Sequence, residues 1–166
     1  MPFDAFIKID GAPGAATDAK HKDWIDVLSF KWGMAFPTQV AGMGSGAQAG
    51  AGKIQASKVV VVKAIDKSSP ILYESCATGK HIKEIKIEFT TGGSRDLKYQ
   101  TITLKDCVVH SAEQELKGGD VSIHTEQCSF AYSGIQWSVQ PVNPKTGMPE
   151  GGPVTTGWDF TKMEKI

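Results

Sequence analysis

Residues 57–90 read SKVVVVKAIDKSSPILYESCATGKHIKEIKIEFT, and this stretch decides the fold. The four valines at 59–62 are β-branched and uninterrupted by polar residues, which predicts a strand buried on both faces. The segment DKSSP then predicts a helix start, because the hydroxyl of Ser68 or Ser69 can cap the first turn and proline is tolerated there. Gly79 predicts the end of this helix after roughly two to three turns.

The helix and the strand after it are each expected to have one apolar face. The inward positions of the helix are Ile71, Leu72, Ser75 and Cys76. Beyond it, apolar residues alternate with charged ones, which is typical of a strand with one wet face. The apolar positions are Ile85, Ile87 and Phe89, and the charged ones are Lys86 and Glu88. The rest of the chain favours strands, so the sequence predicts a mainly β protein with one short helix.

Length and composition are those of one domain, residues 1–166, that can bury a real core. The 18 basic and 18 acidic residues balance, so we expect neither nucleic acid nor an anionic membrane surface as the main partner. No apolar run approaches the ~20 residues that span a bilayer, so membrane insertion is not expected. The start of the sequence does not resemble an export signal. The three cysteines are odd in number and far apart, which favours free thiols in a reducing cytosol.

Two strands are predicted near the N-terminus. Residues 3–10 alternate, with Phe3, Ala5, Ile7 and Ile9 on one face. Residues 24–34 are expected to form one continuous strand, with four residues on its inward face: Asp26, Leu28, Phe30 and Trp32. The opposite face becomes polar towards its C-terminal end, so Ser29 and Lys31 are expected to face water or a wet cavity.

Residues 37–52 are rich in glycine and alanine and offer almost nothing to bury. A phosphate-binding loop is excluded by its motif, because Ala47 replaces a required glycine and Ile54 replaces the required Ser or Thr. Glycine-rich chains lose much entropy on ordering, so we expect an arm that orders against another subunit.

The second half of the chain predicts further strands over residues 97–110, 135–139 and 154–160, with Ile102 and Leu104 facing inward. Over residues 121–132 the apolar positions change parity, which predicts a β-bulge within that strand. The first set is Val121, Ile123 and Thr125, and the second is Cys128, Phe130 and Tyr132.

No motif in the sequence predicts catalysis, a metal or a cofactor. The GxSxG pattern fails around Ser45 because Met43 stands where the first glycine belongs, and CxxC, HxH and HExxH motifs are missing. His21 is interpreted as an ordinary loop residue, because no histidine or carboxylate lies at ligand spacing in the sequence. Cys76 and Cys107 are interpreted as buried, unreactive thiols. These observations favour a non-enzymatic domain with interaction surfaces.

Six sequence blocks, in order, resemble the haemolysin-coregulated protein (Hcp) family of the type VI secretion system. They are FIKIDG, IDVLSFKWGM, the glycine-rich stretch, IDKSSPILYESCATGKHI, YQTITLKD and GGPVTTGWD. The resemblance implies a β-barrel of two packed sheets with one short α-helix and an extended glycine-rich loop. It further implies homohexameric rings that stack into a tube, contact the VgrG spike and contractile sheath proteins, and hold small effector proteins in the lumen. Such a protein is cytoplasmic before firing and is then secreted.

The resemblance also assigns expected roles to residues. Ser29 and Lys31 correspond to a strand that faces the lumen and contacts effectors. The expected ring-stacking loop comprises Gly42, Met43, Gly44, Ser45, Gly46, Ala47, Gln48, Ala49, Gly50, Ala51 and Gly52. Two other functions remain open: a small monomeric ligand-binding β-barrel, and a hydrolase with a Ser or Cys nucleophile beside a histidine.

Overall fold

The computed structural model describes residues 3–36, 54–91, 97–116, 118–119 and 123–166. Over these residues the chain forms eleven strands and one helix, α1 (Ser69–Thr78). The strands are β1 (Phe3–Ile9), β2 (Ile25–Val27), β3 (Ser29–Lys31), β4 (Met34–Ala35), β5 (Gln55–Ala56), β6 (Val59–Ala64), β7 (Ile82–Thr91), β8 (Leu97–Gln114), β9 (Thr125–Val139), β10 (Val154–Asp159) and β11 (Glu164–Lys165). The mainly β prediction with one short helix is therefore confirmed, and the strands form two sheets.

The large sheet is antiparallel and has the order β11-β10-β9-β8-β7-β1-β2. The long strand β9 is shared, because its first half pairs with β6 and its second half pairs with β10. Strand β6 in turn pairs with β3, which follows β2 after the single residue Leu28. The segment from β2 to β3 therefore joins the two ends of the strand path β3-β6-β9-β8-β7-β1-β2. Strands β4 and β5 form a separate two-stranded ribbon.

The core lies between the inward faces of these strands, with α1 packed against β8. Its most completely buried side chains include Ile7, Ile25, Val59, Leu72, Ile85, Ile87, Ile102, Leu104, Phe130 and Ile135. The predicted inward positions of β7 and β8 are thus confirmed. Burying an aliphatic or aromatic side chain of this size stabilises the fold by about 1.5–3 kcal/mol. The apolar residues that alternate along the strands therefore supply most of the stabilising free energy.

The valine strand differs from the prediction on one face. Val59 and Val61 are fully buried, but Val60 and Val62 are only half-buried, so the strand is not covered on both sides. The prediction that Ser68 or Ser69 caps the first turn is also wrong, because Ser68 makes no side-chain cap hydrogen bond and the Ser69 hydroxyl accepts from the Asp66 N–H, before the helix, at 3.0 Å. Instead the Asp66 carboxylate accepts from the Ser68 backbone N–H at 2.9 Å. Gly79 ends the helix in the left-handed conformation at φ 65°, as predicted.

The strand predicted over residues 24–34 is broken, and its first half faces the other way. Ile25 is buried in the core, whereas Asp26 is exposed and the side chain of Leu28 is 56% exposed. The break arises because β2 pairs with β1 while Leu28 already donates its N–H to the Val62 carbonyl of β6 at 2.8 Å. Where the chain passes from β1 to β6 as its partner, the inward side chains change from odd-numbered to even-numbered residues. Sequence periodicity alone cannot show this change. After the break, Phe30 and Trp32 pack against the core as predicted.

The bulge predicted between Thr125 and Cys128 is wrong, because β9 pairs with β6 from Thr125 to Phe130 without a shift in register. The β8–β9 register shifts between Val109 and Ser111, so the extra residue belongs to β8 rather than to β9. Strand β9 begins only at Thr125, and Ile123 lies exposed before it. Val121 lies outside the described residues, as does the glycine-rich stretch over 37–53 that contains the expected ring-stacking loop.

Candidate assembly surfaces

Ser29 and Lys31 lie on one exposed face of β3, as the periodicity predicted. Strand pairing extends this face across three further strands. Ser29 and Lys31 lie opposite Val62 and Val60 of β6, and these lie opposite Gln127 and Ser129 of β9. Cross-strand partners share a face, so the surface continues to Glu113 and Ser111 of β8. We call it the polar face: Ser29, Lys31, Val60, Val62, Ser111, Glu113, Gln127 and Ser129.

Sequence analysis missed six of these eight residues, because only the pairing of distant strands brings them beside Ser29 and Lys31. The side chains are small or polar, and Ser111 hydrogen-bonds to Ser129 through their hydroxyl groups. Lys31 and Glu113 have opposite charges. Ser29, Lys31, Glu113 and Gln127 are exposed on the polar face, whereas Ser129 is buried.

Beneath the edge of this face lies a buried ionic cluster that holds α1 to the sheet. Lys63 and Glu126 are cross-strand partners on the inward side of β6 and β9, and each is 1% exposed. The Lys63 ammonium donates to Glu126 and to the Ser69 hydroxyl at 3.1 Å, and Ser69 donates to Glu126 at 2.6 Å. Tyr73 of α1 also donates to Glu126 and accepts from Gln114.

The electrostatics of this cluster favour an ionised Glu126. Burial by itself would raise the pKa of Glu126, but hydrogen bonds from Lys63, Ser69 and Tyr73 outweigh it and lower the pKa. Burial and the adjacent Glu126 raise the pKa of Tyr73, which therefore acts as a donor. The charges are paired and hydrogen-bonded, which is the condition for tolerating them in a core.

A second surface is an apolar groove of about 520 Å³ between the β4–β5 ribbon and the β10–β11 hairpin. Its principal lining residues are Met34, Phe36, Ile54, Trp137, Trp158 and Met163. Met34, Phe36 and Met163 are each about half exposed, while Trp32 stacks on Trp137 at a centroid distance of 5.6 Å. The indole N–H groups of Trp137 and Trp158 are buried and have no hydrogen-bond partner among the described residues.

The residues considered for catalysis do not form a nucleophile–histidine pair where the structure describes them. The Cys76 thiol donates to the His110 carbonyl oxygen at 3.8 Å rather than to an imidazole, and Ser45 lies outside the described residues. Burial raises the pKa of both Cys107 and Cys128 to about 12. All three cysteines are free, as predicted, although Cys76 is only half-buried.

His21 is not the ordinary loop residue that the sequence indicated. Its ring is 2% exposed and lies between two carboxylates, Asp18 and Glu88, each 2.7 Å from one ring nitrogen. Glu88 is 67 residues away in the sequence, so no local spacing could reveal it. Within the described ranges, no cluster of three or more His, Cys, Asp or Glu side chains is placed to bind a metal ion. Nor does any described helix have the length and apolarity needed to cross a membrane.

Comparison with known proteins assigns the chain to a family. The profile of a family described as "Type VI secretion system effector, Hcp" matches residues 6–139. The chain belongs to the Hcp family. Hcp proteins are structural, secreted components of the type VI secretion system, and the resemblance drawn from the six sequence blocks is thereby confirmed.

Individual relatives of this Hcp-family chain agree over nearly its whole length. It is 36% identical to "Protein hcp1" of Pseudomonas aeruginosa over 161 residues, which is 96% of each chain. Its fold matches a solved "type six secretion system protein" with a TM-score of 0.90 and 27% identity, covering 99% of this chain and 100% of the other. It also matches Hcp1 from Salmonella typhimurium with a TM-score of 0.80, 28% identity and full coverage of both chains.

Proposed function

We propose that this Hcp-family chain is a non-enzymatic tube subunit whose six copies form a ring, and that such rings stack into an inner tube. The tube would assemble in the cytoplasm inside contractile sheath proteins, carry a VgrG spike at its tip and be expelled from the cell. The polar face would line the lumen and contact small effector proteins. Residues 42–52 would form the ring-stacking loop.

The observation that carries this proposal is the apolar groove. Side chains such as Phe36, which is 50% exposed, lose favourable burial in an isolated chain. Contiguous exposed apolar surface on a protein of this size marks an interaction site. In a closed ring, each copy would place its groove against the next copy, so that the apolar surface of every copy is buried to the same extent.

The proposed lumen follows from the polar face. In a ring of six, Lys31 would contribute a circle of positive charge and Glu113 a circle of negative charge, while the neighbouring serines and half-buried valines carry no charge. Because Lys31 is exposed on β3, its effect on cargo would be electrostatic and weakened by salt. Lys31→Ser should therefore reduce retention of acidic cargo at low ionic strength while leaving the ring assembled. Equal retention of acidic and basic cargo by both proteins would contradict this role.

Native mass spectrometry tests the ring. We expect a hexamer from the unmodified chain and mostly monomer from Phe36→Glu, because a charge in the groove would have to be buried on assembly. The matched control is Leu116→Glu, since Leu116 is also an exposed apolar residue but does not line the groove. A monomer from the unmodified chain at micromolar concentration would contradict the proposal, and a hexamer from Phe36→Glu would exclude the groove as the contact.

Deleting residues 44–49 separately tests the stacking loop. Their small side chains offer little burial to offset ~1 kcal/mol or more of backbone entropy per residue, so they should order only against another ring. The deletion variant should form single rings but fewer tubes, as judged by electron microscopy, and its secretion should fall. Tubes of normal length would show that the loop does not contribute to stacking. Loss of the ring would show that the loop makes contacts between subunits of the same ring.

A small monomeric ligand-binding β-barrel is the second candidate, because the same groove is apolar and of a size that accepts small molecules. This function predicts a monomer in native mass spectrometry and saturable binding of an apolar fluorescent probe. Phe36→Glu should then abolish probe binding without changing the monomeric state.

A further inference from the structure

The inference concerns a cavity of about 500 Å³ on the side of β7 and β8 that points away from the core, which we call the outer cavity. It shares no lining residue with the polar face or the apolar groove. Three parts of the chain enclose it: the connection between β1 and β2, the adjoining ends of β7 and β8, and the connection between β9 and β10. The outer cavity is therefore a separate site that only the tertiary fold brings together.

Thr90 of β7 lines the outer cavity and carries an unused hydrogen-bonding group. The residue is 1% exposed, and its hydroxyl makes no hydrogen bond with any described residue. Phe89 before it belongs to the core, so strand alternation places Thr90 on the opposite side, towards the cavity. Buried hydroxyl groups are nearly always paired, because an unpaired one destabilises the fold. The Thr90 hydroxyl is thus placed to bind a polar atom of a ligand.

Lys98 of β8 is the cross-strand partner of Thr90 and lines the same cavity. Cross-strand partners have Cβ atoms about 5 Å apart, so one ligand group can reach both side chains. The Lys98 ammonium has three N–H donors, and its ion-pair contact is with Glu88 Oε1 at 3.5 Å. Thr90 and Lys98 therefore offer two donors that converge on one acceptor group.

The charges around the outer cavity favour an anionic ligand. Glu88 is the one carboxylate among the described lining residues, and both of its oxygens are engaged. Oε1 contacts Lys98, and Oε2 lies 2.7 Å from His21 Nε2. Lys20 brings a second basic side chain to the lining. A cationic ligand would compete for an occupied carboxylate, whereas an anionic ligand would be attracted by two lysines.

The rest of the lining is apolar and held in place by packing. Trp24, Leu97 and Pro149 supply this part of the surface. Trp24 packs edge-on against the His21 ring at a centroid distance of 4.8 Å, and that ring stacks on Phe6 of β1 at 4.2 Å. The volume and the apolar lining are those of a site for a small organic molecule rather than for an inorganic ion.

We propose that the outer cavity binds a small organic acid, with the Thr90 hydroxyl and the Lys98 ammonium donating to its carboxylate and its apolar body lying against Trp24. Such hydrogen bonds are charge-assisted and would satisfy the Thr90 hydroxyl. The site goes beyond the proposed tube function and does not depend on it. A carboxylate next to an apolar body is found both in a free acid and at the C-terminal residue of a polypeptide, and the experiment separates these two sources.

Isothermal titration calorimetry with 4-phenylbutyrate and with its neutral amide, 4-phenylbutyramide, tests the proposal. We expect saturable binding of the acid with a Kd of about 1 mM, because the probe is small and makes few hydrogen bonds. The amide should bind at least about tenfold more weakly, since its hydrogen bonds carry no charge. Lys98→Met should weaken binding of the acid about tenfold for the same reason. Lys105→Met is the matched control, because Lys105 lies on the same strand but does not line the outer cavity.

Thr90→Val separates a binding role from a purely structural one. Valine keeps the shape of threonine but lacks the hydroxyl, so the variant should raise the thermal unfolding midpoint of the unliganded chain. The same variant should bind 4-phenylbutyrate about tenfold more weakly, because one hydrogen-bond donor is lost. A purely structural hydroxyl would change the midpoint and leave the affinity unchanged.

Three results would overturn the proposal: no saturable binding of 4-phenylbutyrate up to about 10 mM, equal affinity for its amide, or unchanged affinity in both Thr90→Val and Lys98→Met. N-acetyl-glycyl-phenylalanine carries its carboxylate at the end of a peptide and identifies the source. Tighter binding than 4-phenylbutyrate would assign the site to the end of a polypeptide, and weaker binding would assign it to a free acid. Phe36→Glu is titrated beside the unmodified chain, so the cavity and the ring can fail separately.

Discussion

Lys63→Met should strongly lower the free energy of unfolding, because it removes the cation of the buried ionic cluster. The Lys63 ammonium is 1% exposed and contacts Glu126, Ser69 and Asp66. Removing it leaves the Glu126 carboxylate buried with only the Ser69 and Tyr73 hydroxyl donors. Breaking a buried pair in this way typically costs about 3–5 kcal/mol, because the remaining charge is uncompensated.

The double variant Lys63→Met/Glu126→Leu removes both charges and should recover most of the loss. Replacing a buried ion pair with apolar residues is often neutral, so we expect the double variant within about 2 kcal/mol of the unmodified chain. In urea, with a slope of about 2 kcal/mol/M, the single variant should lower the unfolding midpoint by roughly 1.5–2.5 M. All variants must be compared at one protein concentration, because assembly would add to the apparent stability.

The matched control is Lys105→Met, which breaks an ion pair of 2.6 Å with Glu84 at the surface. Both of its side chains are about two-fifths exposed, so its loss should cost less than about 1 kcal/mol. A loss below about 1 kcal/mol in Lys63→Met would refute the reasoning. A double variant that loses as much stability as Lys63→Met and the single variant Glu126→Leu combined would also refute it.

Three further predictions follow from burial and packing. Gly14→Ala should cost about 1–3 kcal/mol in a thermal unfolding series, because its Cβ would lie 2.4 Å from the Trp24 carbonyl oxygen; an unchanged midpoint would contradict this. Since burial raises the pKa of Cys107 and Cys128 to about 12, about one thiol in 10,000 is ionised at pH 8, and both should resist a thiol reagent until unfolding. Hydrogen bonding lowers the pKa of Glu126 in the folded protein. The contribution of this carboxylate to stability is therefore complete above its ordinary pKa of 4.5 and is lost as the pH falls through its pKa in the folded protein. Glu126→Gln should make the urea midpoint less dependent on pH in acid.

Local sequence patterns were enough to predict most of the longer strands and the end of the helix, but not the short strands β5 and β11 or the break within residues 24–34. Alternation placed Ile85, Ile87 and Ile102 in the core, and all three are fully buried. Gly79 ends the helix where its freedom to adopt a positive φ predicted. These features are local, because side-chain alternation and turn conformation depend on residues only a few positions apart. The family was also recognisable from local blocks, since their order and spacing are properties of the sequence.

The pairing of the strands, and the groups that lie together in one site, depend on contacts between residues that are far apart in the sequence. Alternation shows which residues of a strand share a face, but not which strand pairs with it. The change of inward residues at Leu28 and the extent of the polar face could therefore not be predicted from the sequence. Lys63 and Glu126 lie 63 positions apart, and His21 and Glu88 lie 67 apart. Asp66 is a sequence neighbour that contacts Lys63, but the hydrogen bonds that offset the desolvation of Glu126 come from Lys63, Ser69 and Tyr73, which are distant in the sequence.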